Sequence, residues 1–375
     1  MPITRRQLNR TTLQRQSLLE RRRSSLPEAV RRLTALQAQE PASPYLALWN
    51  RVDGFDPAAL DRAFSSGEIV KASLMRITLH AVDARDYPGF HAAMLPSLRA
   101  SRLDDRRFRE SGLTVAAVDA HEEALLAAST QPRTGAQMIE ALKGPFGERA
   151  RSAWWAYRTY AAFHHAPTGG PWTFGQRPAF RAAPSTLPKE SHEPGIDSLV
   201  QRYLESFGPA TVADIAGFSL LTRGAVREAL ARFRDAVTRL AGPDDEELYD
   251  VADGRVAGEG AAPPRLLPMW DSVLLAYADR SRIIPVEYRR AVIRRNGDVL
   301  PTLLVDGYVV GVWRLVDGSI EASAFRPLST AAWAGLRQEA VDLLDLLRER
   351  DPAVYGRYSR WWRDLPSAEV RLLPG

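Results

Sequence analysis

The chain contains no cysteine, and only Lys71, Lys143 and Lys189 represent lysine among its 375 residues. Without cysteine there is no disulfide, no thiolate zinc site and no cysteine nucleophile. No apolar run approaches the roughly 20 residues of a membrane-spanning helix, and no apolar leader segment opens the sequence. A cytoplasmic protein with no membrane partner is therefore expected. The histidines, His80, His91, His121, His164, His165 and His192, form no HExxH pair, so no metal site is expected. P-loop and dinucleotide fingerprints are missing too, and no cofactor is expected. Asp83, Asp86, Asp104, Asp105 and Asp119 show no spacing that marks a catalytic base. Asp271, after Pro268-Met269-Trp270, is read as a structural hydrogen-bonding group rather than a catalyst.

What is present fits a globular protein. Hydrophobic residues make up 45% and charged residues 25% of the chain, and its length accommodates two or three domains. The net charge of +5 rests almost wholly on arginine, which binds phosphate bidentately and stacks on bases. Position says more than the total. Nine arginines lie between Met1 and Ala35, at 5, 6, 10, 15, 21, 22, 23, 31 and 32, against only Glu20 and Glu28. Such a basic segment suits a surface that follows a nucleic-acid backbone.

Directly after it stands Leu36-Gln37-Ala38-Gln39-Glu40-Pro41. Ser25, Pro27 and Glu28 mark a helix start with a capping box, and Leu26, Val30 and Leu33 keep helical spacing. The proline then turns the chain toward extended geometry, in which Gln37 and Gln39 face one side. Two neutral amides converging on one point can hold a water or a sugar.

The remaining sequence reads as an α+β chain, mainly helical: tandem winged-helix units with a strand-rich C-terminal region. The first unit (1–110) has a basic N-terminal helix, helices opened by Ser43-Pro44 and Asp56-Pro57, and strands at 69–72 and 77–82. The second (111–182) has helices at 115–128 and 135–142, a third carrying Trp154, Trp155, Tyr157 and Tyr160, and a wing across 163–180. A Pro- and Ser-rich linker is expected at 183–195. In the third unit (196–262), Thr222 caps a helix to Phe233 that carries Arg223 and Arg227 where a recognition helix belongs, followed by a wing at 237–240 and 247–251. From 263 to 375 strands dominate, with Asn296-Gly297 reading as a type I′ hairpin turn that puts Arg294 and Arg295 at its tip. A long helix covers 330–350.

On Leu36-Gln37-Ala38-Gln39, the run from Leu74 to His80, the winged helix around 207–230, and the segments 267–280 and 305–314, the chain resembles the winged-helix DNA glycosylases of the AlkZ and YcaQ type. Those segments span nearly its whole length. The resemblance is nearer the AlkZ branch, linked to self-resistance against azinomycin-type bifunctional alkylators. It implies a monofunctional glycosylase acting on double-stranded DNA that carries N7-alkylated purines, including interstrand crosslinks. Gln37 and Gln39 would be its catalytic motif; the YcaQ-like branch has Asp at the second position. Arg21, Arg22, Arg23, Arg223, Arg227, Arg294 and Arg295 are the candidate DNA contacts, and a monomer is expected. The competing reading is a winged-helix transcription regulator without catalysis, since winged helices serve more often in regulators than in enzymes.

Overall fold

The computed structural model describes every residue except Met1, Leu187, Lys189, Glu190 and Asp364. Helix α1 (Arg5–Arg15) opens on a reciprocal Thr4–Gln7 capping box, and α2 (Leu26–Arg32) on the Ser25 side chain. Strand β1 (Leu36–Gln37) leads to α3 (Ala42–Trp49) and α4 (Pro57–Ser66). Asp56 caps α4, and Gly67, left-handed at φ 82°, ends it as the sequence suggests. Helix α3 starts one residue before Ser43, whose hydroxyl instead meets the Tyr355 hydroxyl at 3.0 Å.

Strands β2 (Ile69–Ser73) and β3 (Leu79–Asp83) form a hairpin whose second strand begins later than expected. The reason is a tight turn at Met75–Ile77, where Arg76 and Ile77 both have positive φ, 53° and 58°. Helix α5 (Tyr87–Leu103) follows, unanticipated because Gly89 and Pro96 interrupt its sequence pattern. Then come α6 (Arg106–Glu110), α7 (Val115–Ala127), β4 (Arg133–Thr134), α8 (Gly135–Phe146), α9 (Ala150–Tyr160), β5 (Phe163–Ala166) and β6 (Ala179–Ala182).

Among the described residues the strands form three antiparallel sheets. The largest has the order β1-β3-β2-β5-β6-β4 and joins the strands of the first two expected units through the Lys71–His165 pairing. Their wings are therefore one continuous sheet rather than separate hairpins. The expected linker includes three of the residues outside the description, and α10 (His192–Phe207) already begins within it. Helices α11 (Val212–Ser219) and α12 (Arg223–Arg232) precede the second sheet, the hairpin β7 (Val237–Ala241) and β8 (Glu247–Val251).

Strand β9 (Arg265–Leu267), the short α13 (Arg289–Val292), β10 (Thr302–Val305), β11 (Tyr308–Val316), β12 (Ser319–Ala324), α14 (Thr330–Arg350) and β13 (Glu369–Leu373) complete the chain. Its third sheet runs β13-β12-β11-β10-β9. Type I′ geometry occurs at Asp306-Gly307 and Asp317-Gly318, where both central residues have positive φ. Asn296-Gly297 differs. Only Gly297 is left-handed, with its N–H donating to Arg294 O, so the turn is a type I with a glycine bulge.

Buried ion pairs lock these parts together. Arg51 and Asp271, each almost inaccessible, pair two-pronged at 2.7 and 2.8 Å. Glu339 on α14 accepts from both Arg21 and Arg265. Among the described residues no helix is long and apolar enough to cross a membrane.

Candidate active site

Strand β1 lies at the edge of the six-stranded sheet, where Gln37 pairs with His80 of β3. The Ala38 N–H donating to Leu79 O at 2.8 Å carries the extended backbone one residue further. Sheet pairing, rather than Pro41 alone, thus makes this stretch extended after Thr34 ends the α2 turn at φ 64°. Strand β1 ends at Gln37, and Gln39 lies in the bend that follows. Ala38 enters the core, Gln37 is 4% exposed, and Gln39 is open to solvent. The Gln39 amide makes no hydrogen bond to another described side chain or backbone group.

Behind Gln37 sits Arg76. Its Nη2 donates to Gln37 Oε1 at 2.6 Å and lies 3.2 Å from His80 Nε2, while Nη1 donates to Phe218 O at 3.0 Å. The guanidinium covers the Phe218 ring at 5.0 Å. No carboxylate pairs with it among the described residues. Burial, and then the nearby charge of Arg280, lowers Arg76 to about 10, so it stays protonated at neutral pH. Burial, and then Arg76, pushes His80 down to about 3, so its ring stays neutral. The candidate site therefore offers two amides and a buried cation; the adjacent Glu40 carboxylate is engaged by Arg357 and Tyr358, and the His80 ring stays neutral. Neither Arg76 nor His80 stands out in the sequence by spacing. The only sign is a lone arginine inside the apolar run Leu74-Met75-Arg76-Ile77.

The basic N-terminal segment is mostly neutralised internally. Arg5, Arg6, Arg10, Arg15, Arg21, Arg23 and Arg31 each pair with a carboxylate, leaving Arg22 and Arg32 with none among the described residues. Arg21 in particular braces Glu339 and stacks on Trp49, and Arg23 holds Asp53 on the surface at 2.8 Å. Arg22 and Arg32 border one concavity of about 340 Å³ together with Arg15 and Arg255. On α12, Arg223 and Arg227 are exposed one turn apart without carboxylate partners among the described residues. Arg294 is not at a free tip: its Nη2 donates to Trp361 O at 2.6 Å and its guanidinium covers the Trp361 ring. Arg295 is exposed. Asp271 is the structural partner of Arg51, and no metal-binding cluster of three acidic or histidine side chains exists among the described residues.

Residues 30–346 match the family described as DNA glycosylase AlkZ-like. The chain belongs to the AlkZ-like DNA glycosylases. It is accordingly an enzyme, and the reading as a non-catalytic regulator is set aside. A relative from Streptomyces sahachiroi, an interstrand DNA cross-link repair glycosylase, is 26% identical over 329 residues, covering 84% of this chain and 88% of its own. The solved structure of Streptomyces sahachiroi DNA glycosylase AlkZ superposes with a TM-score of 0.78 at 21% identity, over 93% of this glycosylase and 97% of that chain. The shared fold is thus an α+β arrangement extending over nearly the full length.

Proposed function

We propose that this glycosylase hydrolyses the N-glycosidic bond of N7-alkylated purines in duplex DNA, including those held in interstrand crosslinks, with Gln37 and Gln39 holding the attacking water. The observation that carries the reading is the Gln37 amide at the end of β1, held by the buried Arg76, with the exposed Gln39 amide two residues on and the neighbouring Glu40 carboxylate engaged by Arg357 and Tyr358. Alkylation at N7 makes a purine cationic, so its bond to C1′ breaks toward an oxocarbenium-like state with little need for leaving-group protonation. The water oxygen bonds to C1′, the C1′–N9 electron pair passes to N9 and neutralises the base, and the water proton leaves to solvent. Such a site needs positioning more than proton transfer. An unmodified purine would stay attached, and this gives selectivity.

A crosslinked base is tethered to the opposite strand and cannot swing freely into a deep pocket as most glycosylase substrates do. Gln39, exposed just beyond the edge strand β1, fits an open cleft. We read the three helix clusters as winged-helix units, the strands of the first two merged into one sheet, with Arg22, Arg223, Arg227 and Arg295 following phosphates. The protein would act as a monomer on the nucleoid and serve self-resistance or repair. The test is incubation with duplex DNA carrying N7-methylguanine. Release of free base, lost in Gln37→Ala and Gln39→Ala while DNA affinity holds, supports the reading. Equal release by both variants removes it.

A further inference from the structure

Arg76 decides which way the Gln37 amide faces. A guanidinium carries only donors, so the Gln37 atom 2.6 Å from Nη2 must be the carbonyl oxygen; the alternative amide orientation would set donor against donor. His80 completes the lock. Its Nδ1 lies 3.1 Å from Thr78 O, a pure acceptor, so Nδ1 carries the ring proton. In the neutral ring Nε2 is then a lone pair, and it accepts from the same Arg76 Nη2 at 3.2 Å. Arg76 is itself fixed by Phe218 O and by a turn in which it and the β-branched Ile77 both hold left-handed backbone. That conformation is uncommon outside glycine and disfavoured most for branched side chains, and such strain persists where the surroundings enforce it.

We propose that Arg76 is a positioning residue that fixes Gln37 as a donor, so that the two glutamines hold the nucleophilic water by opposite polarity. Gln37 Nε2 donates to the water oxygen, and Gln39 Oε1 accepts one of its protons. One lone pair of the water remains for C1′. This deepens the proposed function and rests on its assignment of the glutamine pair. Two carbonyl acceptors would instead bind both water protons and leave the oxygen less constrained. Gln39, exposed and with no partner among the described residues, is placed to present its oxygen.

The polarity makes the two positions unequal toward a carboxylate. Glutamate at 39 keeps an acceptor; glutamate at 37 has no donor and is drawn onto Arg76. Single-turnover release of N7-methylguanine from duplex DNA is measured together with DNA affinity and thermal unfolding. Gln37→Glu is expected to be as slow as Gln37→Ala, down roughly 100-fold, the scale of losing one preorganised hydrogen-bond donor. Gln39→Glu should stay within about tenfold of the parent, since its water contact persists. Arg76→Met should slow release with little change in affinity, Arg76→Lys should recover part of the rate, and Arg76→Met should add nothing in a Gln37→Ala background.

A purely structural Arg76 would give additive losses and no recovery by lysine. Additive losses, or Gln37→Glu outperforming Gln39→Glu, would overturn the proposal. If Arg76→Met fails to fold, the two glutamate variants decide it alone. Parental rates in both alanine variants would mark failure of the underlying site assignment rather than of the polarity.

Discussion

Three histidines held neutral by burial make the fold vulnerable to mild acid. His80 is inaccessible, and His164 is 3% exposed with both ring nitrogens lacking partners among the described residues, its ring edge-on to Tyr87 at 4.3 Å. Burial above all pushes each down to about 3, and it does the same to His165, whose ring packs against Phe180 near the charge of Lys71. In the unfolded chain all three take up a proton near pH 6.5, which the folded state refuses. Their contribution is therefore full above about pH 6.5 and is lost as pH falls toward 3. Three such groups give a slope of about 4 kcal/mol per pH unit, and about 8 kcal/mol is lost by pH 4.5. That lies within the total stability of ordinary domains, about 5–15 kcal/mol. Urea unfolding at pH 7, 6 and 5 measures the slope. His164→Phe removes one proton, keeps an aromatic against Tyr87, and should lower the slope by about a third without loss of stability at pH 7. Flat stability between pH 7 and 5, or an unchanged slope in His164→Phe, would refute the reasoning.

Other consequences are as direct. With His80 held neutral down to about 3 and Arg76 charged up to about 10, single-turnover base release should be level from pH 6 to 9; a bell-shaped profile would reveal a titrating acid or base. Glu339→Ala strands Arg21 and Arg265 and should cost about 3–5 kcal/mol in denaturant unfolding, whereas exposed-pair losses stay below about 1 kcal/mol. Arg223→Ala with Arg227→Ala should reduce the slope of log affinity against log salt by about two without changing sequence preference. Arg295→Ala should impair crosslink unhooking more than release of a single N7-methylguanine, while Arg294→Ala should lower thermal stability by freeing Trp361.

Local chemistry was readable in the sequence and long-range partnership was not. Asp56-Pro57 and Gly67 bound α4, and Thr222 caps α12, because capping involves neighbours. The Lys71–His165 pairing that merges two wings joins strands far apart in the chain, and no periodicity carries it. The arginine count likewise suggested a phosphate-binding N-terminus, yet Arg6 and Arg10 dock α1 onto Asp306 and Arg21 reaches Glu339. Charge pattern shows which residues are cationic, and only tertiary structure shows which have been neutralised. Gln37 and Gln39 were legible as a pair. Their environment was not, because Arg76 reaches Gln37 only through a strained turn of a different strand.

Release of free base from duplex DNA carrying a single N7-methylguanine, under single-turnover conditions, bears most directly on the glutamine pair. The parent should release N7-methylguanine and leave an abasic site, and Gln37→Ala and Gln39→Ala should each slow release about 100-fold while binding the duplex as the parent does. Parental rates in both alanine variants would contradict the assignment of the water to these two amides.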